Sequence, residues 1–109
     1  MTKFKNTINV VVPGEPDSSY PIHIGAGFLA ALWAAIQTQW PNHKPFVVTD
    51  ENLVRAGLVQ QLLDGRMAPM FSITPPGESS KHIGTVTAIV EEMEKAFLGR
   101  DSLVIALGG

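Results

Sequence analysis

The sequence predicts an α/β fold in which mostly parallel strands form one layer with flanking helices, preceded by an antiparallel strand pair. Short β-branched and apolar segments alternate with longer segments of helical periodicity, as they do in βαβ units. Hydrophobic residues make up 45% of the 109 residues and charged residues 17%, a balance that suits strands covered on both faces. Together these observations indicate one small Rossmann-like domain.

The amino-terminal segment predicts the antiparallel pair. Residues 7–12 are β-branched and apolar, and a second short strand covers residues 20–24. Between them, residues 13–18 contain Pro-Gly-Glu-Pro-Asp-Ser, a composition typical of a turn.

The first helix follows a Gly-Ala-Gly turn at residues 25–27 and ends at Pro41. Its buried face is predicted from one apolar stripe: Phe28, Leu29, Leu32, Trp33, Ile36 and Trp40. Gly25 and Gly27 also fit the dinucleotide fingerprint G-x-G-x-x-G/A. Pro21 argues against that function, since a central strand needs the backbone N–H that proline lacks, and we interpret both glycines as turn and packing residues.

The next segments predict a strand, a helix and a second strand. The strands cover residues 45–49 and 70–74, and the weaker helix between them runs to about Leu63. Gly57 interrupts this helix, and an Asp-Gly turn at residues 64–65 closes it.

The last segments predict a strongly periodic helix at residues 80–97 and an uninterrupted apolar strand at residues 102–107. On the solvent side of this helix we expect Glu91 to pair with Lys95. The predicted core face consists of Ile83, Val86, Ile89, Val90, Met93 and Phe97.

Polar groups follow three of the predicted parallel strands, where open α/β sheets bind ligands. Asp50 and Asn52 follow the first of these strands. Asp50 fits two roles, an acceptor for a ribose diol or the N-cap of the following helix, and its position alone favours capping.

The second and third polar groups are loops. The loop after the next strand contains two prolines and then Gly77, Glu78, Ser79, Ser80 and Lys81. Its serine pair is expected to cap the long helix, which leaves Lys81 to meet a phosphate or hydroxyl, although an ordinary loop with a solvated lysine is an equal alternative. Gly108-Gly109 follows the last strand and resembles the start of a phosphate-binding loop, the alternative being a flexible terminus.

Composition argues against several other classes of function. The formal net charge is −2, which provides no basic surface for nucleic acid or an anionic membrane. The absence of cysteine excludes disulfides and thiolate zinc sites and is compatible with a cytoplasmic location. The three histidines show no ligand spacing, and Glu91, Glu92 and Glu94 are typical of a solvated helix face, so we expect no metal site in this chain.

Four segments together resemble 3-dehydroquinate synthases: Tyr-Pro-Ile-His-Ile-Gly at residues 20–25, Val-Val-Thr-Asp-Glu-Asn at 47–52, Pro-Gly-Glu-Ser-Ser-Lys at 76–81, and Arg-Asp-Ser-Leu-Val-Ile-Ala-Leu-Gly-Gly at 100–109. The resemblance implies that residues 1–109 form the amino-terminal NAD-binding domain, incomplete, with the carboxyl-terminal metal and substrate domain absent. The implied cofactor-binding residues are Asp50, Asn52, Gly77, Glu78, Ser79, Ser80, Lys81, Gly108 and Gly109.

The resemblance also implies the reaction. The family converts 3-deoxy-D-arabino-heptulosonate 7-phosphate into 3-dehydroquinate and phosphate in the shikimate pathway, with NAD used catalytically. Its zinc or cobalt is held by residues outside this chain, so these residues alone are expected to have no turnover and to bind NAD weakly if at all. A homodimer is compatible with the family.

Two alternatives remain at this point. One is another enzyme with the same nucleotide domain, either a glycerol-dehydrogenase-like polyol dehydrogenase or a different sugar-phosphate cyclase. The other is a non-catalytic α/β module that binds a nucleotide or a protein.

Overall fold

The computed structural model describes residues 6–15, 18–27 and 29–108, and it confirms the predicted α/β class. A short 3-10 turn precedes the last helix. The elements, in chain order, are β1 (Asn6–Val10), β2 (Tyr20–Ile24), α1 (Leu29–Gln39), β3 (Lys44–Asp50), α2 (Glu51–Arg55), α3 (Leu58–Leu63), β4 (Met70–Ile73), the 3-10 turn (Glu78–Ser80), α4 (Ile83–Lys95) and β5 (Ser102–Ala106).

Strands β1 and β2 form the predicted antiparallel pair, in which Val10 lies opposite Tyr20. β1 ends two residues earlier than the sequence predicts, because Val12 already belongs to the turn. The Val12 N–H donates to the Ser19 hydroxyl at 3.1 Å, and the Val12 carbonyl accepts from the Glu15 N–H at 3.1 Å.

Strands β3, β4 and β5 form a parallel sheet with β3 in the centre, in the order β4-β3-β5. The chain passes from β3 to one neighbour and then crosses to the other side of β3. The sheet therefore has a topological switch point between β3 and β5, which is where α/β sheets of this kind bind ligands.

The core lies around β3 and beneath two helices. Helix α1 packs against α3. Phe28 of the predicted stripe lies outside the described residues, and among the described members of that stripe only Trp33 is buried. Burial of each large apolar side chain contributes about 1.5–3 kcal/mol. The buried hydrophobic residues of the described chain are Trp33, Phe46, Val47, Val59 and Leu62. As predicted, Gly57 interrupts the helix, since its φ of 78° separates α2 from α3.

Helix α4 differs from the prediction in three ways. It begins at Ile83 rather than at residue 80, because the Ser80 hydroxyl donates to the Pro75 carbonyl instead of capping the helix. Lys95 pairs with Glu92 at 3.1 Å rather than with Glu91. Most of the predicted core face is exposed: Ile83, Val86, Val90 and Phe97.

The helices of the described residues are short, and α4, the longest of them, has 13 residues. None of them is both long enough and apolar enough to cross a membrane.

Candidate functional site

The carboxyl ends of the three parallel strands lie at one edge of the sheet. Asp50, the last residue of β3, pairs with Ile73 at the end of β4. On the other side, Val48 pairs with Ala106, and the Leu107 N–H continues this ladder by donating to the Val48 carbonyl at 2.9 Å. Two residues beyond that pair, Asp50 and Gly108 reach the same edge.

Asp50 is oriented by its own hydrogen bond to the start of α2. Its carboxylate oxygen Oδ1 accepts from the Leu53 N–H at 3.1 Å, the geometry of an N-cap. A carboxylate has two oxygens, so this bond leaves Oδ2 for a ligand. The two roles that the sequence left open for Asp50 are thus compatible within one side chain.

The loop between β4 and α4 lies beside Asp50. One pocket of about 330 Å³ is lined by Asp50, Asn52, Leu53, Pro76 and Gly77. Gly77 has φ 107° and ψ −172°, a conformation that is essentially restricted to glycine and that turns the chain at this point. A second pocket, of about 200 Å³, is lined on its loop side by Gly77, Glu78, Ser80 and Lys81, with Asp50 and Ile73 opposite.

Internal hydrogen bonds fix the shape of this loop. The Ser80 hydroxyl donates to the Pro75 carbonyl at 2.6 Å, and the Thr85 hydroxyl donates to the Ser80 carbonyl at 2.6 Å. Ser80 is buried, with 8% of its surface exposed. Its hydroxyl therefore stabilises the loop and does not face solvent.

The charged groups of the loop point outwards. The Lys81 Nζ lies 2.8 Å from the Glu78 Oε1, and both side chains are largely exposed. An exposed pair of this kind contributes little to stability, so both groups can exchange this contact for one with a ligand.

Sequence reasoning missed one contact of the site. The Thr74 hydroxyl donates to Glu51 Oε2 at 2.9 Å and thereby connects the end of β4 to the first turn of α2. The signal available in the sequence was weak, since each residue merely follows or ends a predicted strand.

The predicted residues thus have four different placements. Ser79 lines a different pocket, between β4 and α4, and Gly109 lies outside the described residues. Gly108 reaches the site by strand register. The structure brings the remaining predicted residues around two adjoining pockets: Asp50, Asn52, Gly77, Glu78, Ser80 and Lys81. These six residues and Gly108 form the candidate site.

The competing fingerprint near Gly25 lacks the structural context that it requires. Strand β2, which precedes it, pairs antiparallel with β1 in a separate two-stranded sheet. A dinucleotide fingerprint instead follows a strand of a parallel βαβ unit. The φ of 71° at Gly27 supports its interpretation as a turn residue.

The described part of the chain contains no group of three or more His, Cys, Asp or Glu residues that could hold a metal ion.

Comparison with known proteins identifies related sequences. No protein-family profile matches the chain. The 3-dehydroquinate synthase of Mesorhizobium japonicum is 36% identical over 99 residues, which cover 88% of this chain and 26% of that protein. The 3-dehydroquinate synthase of Acidithiobacillus ferrooxidans is 40% identical over 96 residues, 84% of this chain and 26% of the relative. That of Alkaliphilus metalliredigens is 36% identical over 95 residues, 85% of this chain and 26% of the relative.

These alignments confirm the resemblance stated from the four sequence segments. They cover most of this chain, whereas the chain spans about a quarter of the length of the curated relatives that it matches.

Proposed function

We propose, from its similarity to 3-dehydroquinate synthases, that this chain is the NAD-binding region of an enzyme of that kind. The observation that carries the proposal is the convergence of Asp50, the loop at residues 77–81 and Gly108 on one edge of a parallel sheet, beside its switch point. Nucleotides bind at this position in α/β sheets.

The residues present fit a dinucleotide. Asp50 keeps one carboxylate oxygen for a ribose hydroxyl, since the other accepts from Leu53. Gly108 has open space where a side chain would begin, so a phosphate can approach its backbone closely. Lys81 supplies the positive charge that a pyrophosphate requires.

Each group has its own task in the proposed complex. Asp50 and Asn52 bind the adenosine side, the backbone at Gly108 faces the pyrophosphate, and Lys81 contacts a phosphate or hydroxyl from the loop. Bound NAD would supply reversible hydride transfer. This chain's residues orient the dinucleotide and shield one side of it from water.

The whole enzyme is proposed to convert 3-deoxy-D-arabino-heptulosonate 7-phosphate into 3-dehydroquinate and phosphate, in the shikimate pathway and in the cytoplasm. Its divalent metal would be held by residues other than those described here. The 109 residues alone therefore have no turnover in this proposal.

Calorimetric titration of NAD, AMP and ADP-ribose into the chain tests the binding proposal. We expect saturable binding near 1 mM for NAD and ADP-ribose, which corresponds to about −4 kcal/mol. AMP should bind more weakly, since it lacks the second phosphate and ribose. Absence of saturable heat for all three ligands would contradict the proposal, and phosphate release from the sugar phosphate by this chain would contradict the proposed lack of turnover.

A further inference from the structure

Glu51 connects the two sides of the candidate site. Its Oε2 accepts a hydrogen bond of 2.9 Å from the Thr74 hydroxyl. Glu51 opens α2 directly after Asp50, whereas Thr74 follows β4 and begins the loop that carries Lys81. The bond therefore joins the helix that Asp50 caps to the start of that loop.

The far end of the loop is fixed in a different way. Ser80 bonds to Pro75 and Thr85 bonds to Ser80, both at 2.6 Å. These bonds lie within the loop and its own helix, so they maintain the shape of the loop, while the pairing of Asp50 with Ile73 fixes where the loop leaves the sheet. Within the described chain, the Glu51–Thr74 bond is the side-chain hydrogen bond that spans from the loop to α2.

The neighbouring ion pair does not explain the role of Glu51. The Arg55 Nη2 lies 3.6 Å from the same Oε2, but 73% of the Arg55 side chain is exposed. Solvent screens such a pair, so it contributes little to the placement of Glu51. The bond to Thr74 is also exposed, but it is shorter, at 2.9 Å, and Thr74 begins the loop of the candidate site.

We propose that Glu51 is a positioning residue, which holds the loop where Lys81 and Asp50 can contact one ligand together. The inference rests on the proposed nucleotide function and extends it to a residue that the ligand does not touch. A ligand that spans both sides of the site depends on this spacing. A ligand that contacts only the Asp50 side does not.

The test compares two ligands across matched variants. ADP-ribose spans the site, whereas adenosine reaches the Asp50 side alone. Thr74→Val removes the donor with little change in shape and should weaken ADP-ribose binding about five-fold, a change equivalent to the net contribution of one ordinary hydrogen bond, while adenosine binding stays unchanged. Glu51→Ala should have the same effect, and Glu51→Gln, which keeps an acceptor oxygen, should bind ADP-ribose as the wild type does.

Arg55→Gln is the control, since it removes the ion pair and keeps the bond to Thr74. Ligand-observed NMR measures both affinities, and thermal unfolding of the same proteins measures stability. A purely structural bond would lower the melting temperature without changing the ratio of the two affinities, and that result would overturn the inference while leaving the proposed function intact. Failure of the wild type to bind either ligand would overturn both.

Discussion

Asp50 and Gly108 reach the same edge of the parallel sheet from adjacent strands, because the register that pairs Val48 with Ala106 carries both chains forward in parallel. Two residues that lie far apart in sequence are thus carried to the ends of adjacent strands, at the switch point of the sheet. The loop that contains Lys81 completes the arrangement from the other side of β3.

The first prediction separates the two roles of Asp50. Asparagine caps helices as well as aspartate does but carries no charge. Asp50→Asn should therefore unfold at the same urea concentration as the wild type while its NAD affinity falls about ten-fold. Asp50→Ala should additionally lose about 1 kcal/mol of stability. Unchanged NAD affinity in Asp50→Asn would show that the charge of Asp50 does not contribute to NAD binding and that the residue serves only as a helix cap.

The second prediction concerns Gly77. Its φ of 107° excludes ordinary side chains, although no atom lies within 4 Å of the position that a Cβ would occupy. Gly77→Ala should therefore lower the free energy of unfolding, measured in urea, by about 1–3 kcal/mol through backbone strain alone. Gly108→Ala is the stability control, because that site has open space and no positive φ, and it should change stability by less than about 0.5 kcal/mol. Equal stability of the two variants would contradict this account of the loop.

The third prediction concerns a buried hydroxyl. Thr49 is 3% exposed, and its Oγ1 has no hydrogen-bond partner within the residues described. Thr49→Val removes this unpaired group while it preserves the shape, and should raise the unfolding free energy by about 1 kcal/mol. Thr87→Val is the matched control, since the Thr87 hydroxyl donates to the Ile83 carbonyl on the exposed side of α4. Destabilisation by Thr49→Val would show that the hydroxyl is satisfied in solution.

The fourth prediction compares a buried apolar residue of α3 with an exposed one on the predicted core face of α4. Leu62 is fully buried, whereas Val90 in α4 is 46% exposed. Leu62→Ala should lower the free energy of unfolding by about 2–5 kcal/mol, a large share of the total stability of a small domain. Val90→Ala should lower it by less than about 0.5 kcal/mol. Chemical denaturation followed by circular dichroism measures both. If Val90→Ala also lost several kcal/mol of unfolding free energy, the predicted core face of α4 would be buried in solution, which contradicts its exposure here.

The strand and helix order was predictable from the sequence because it follows from local patterns. The alternation of apolar runs and turns located each strand of the described residues, and Gly57 marked the break between α2 and α3. The start of α4 was not predictable, because the Ser80 hydroxyl bonds to Pro75, five residues earlier, rather than to the helix. The exposure of α4 also depends on which surfaces meet, and periodicity along one helix does not contain that information.

The candidate site was predictable in part for the same reason. Asp50 and Gly108 each follow a predicted strand, and the carboxyl ends of parallel strands lie at one edge of the sheet. The bond between Thr74 and Glu51 joins residues 23 positions apart and depends on how β4 and α2 pack. Sequence alone also does not separate capping from ligand binding at Asp50, since one carboxylate serves both.

The most direct test of the account is a titration of NAD into the isotopically labelled chain, followed by backbone amide NMR. The account predicts saturable shifts at residues 50–52, 77–81 and 107–108, with the β1–β2 pair unaffected. Shifts centred on that pair, or spread evenly along the chain, would contradict the assignment of the nucleotide to this edge of the sheet.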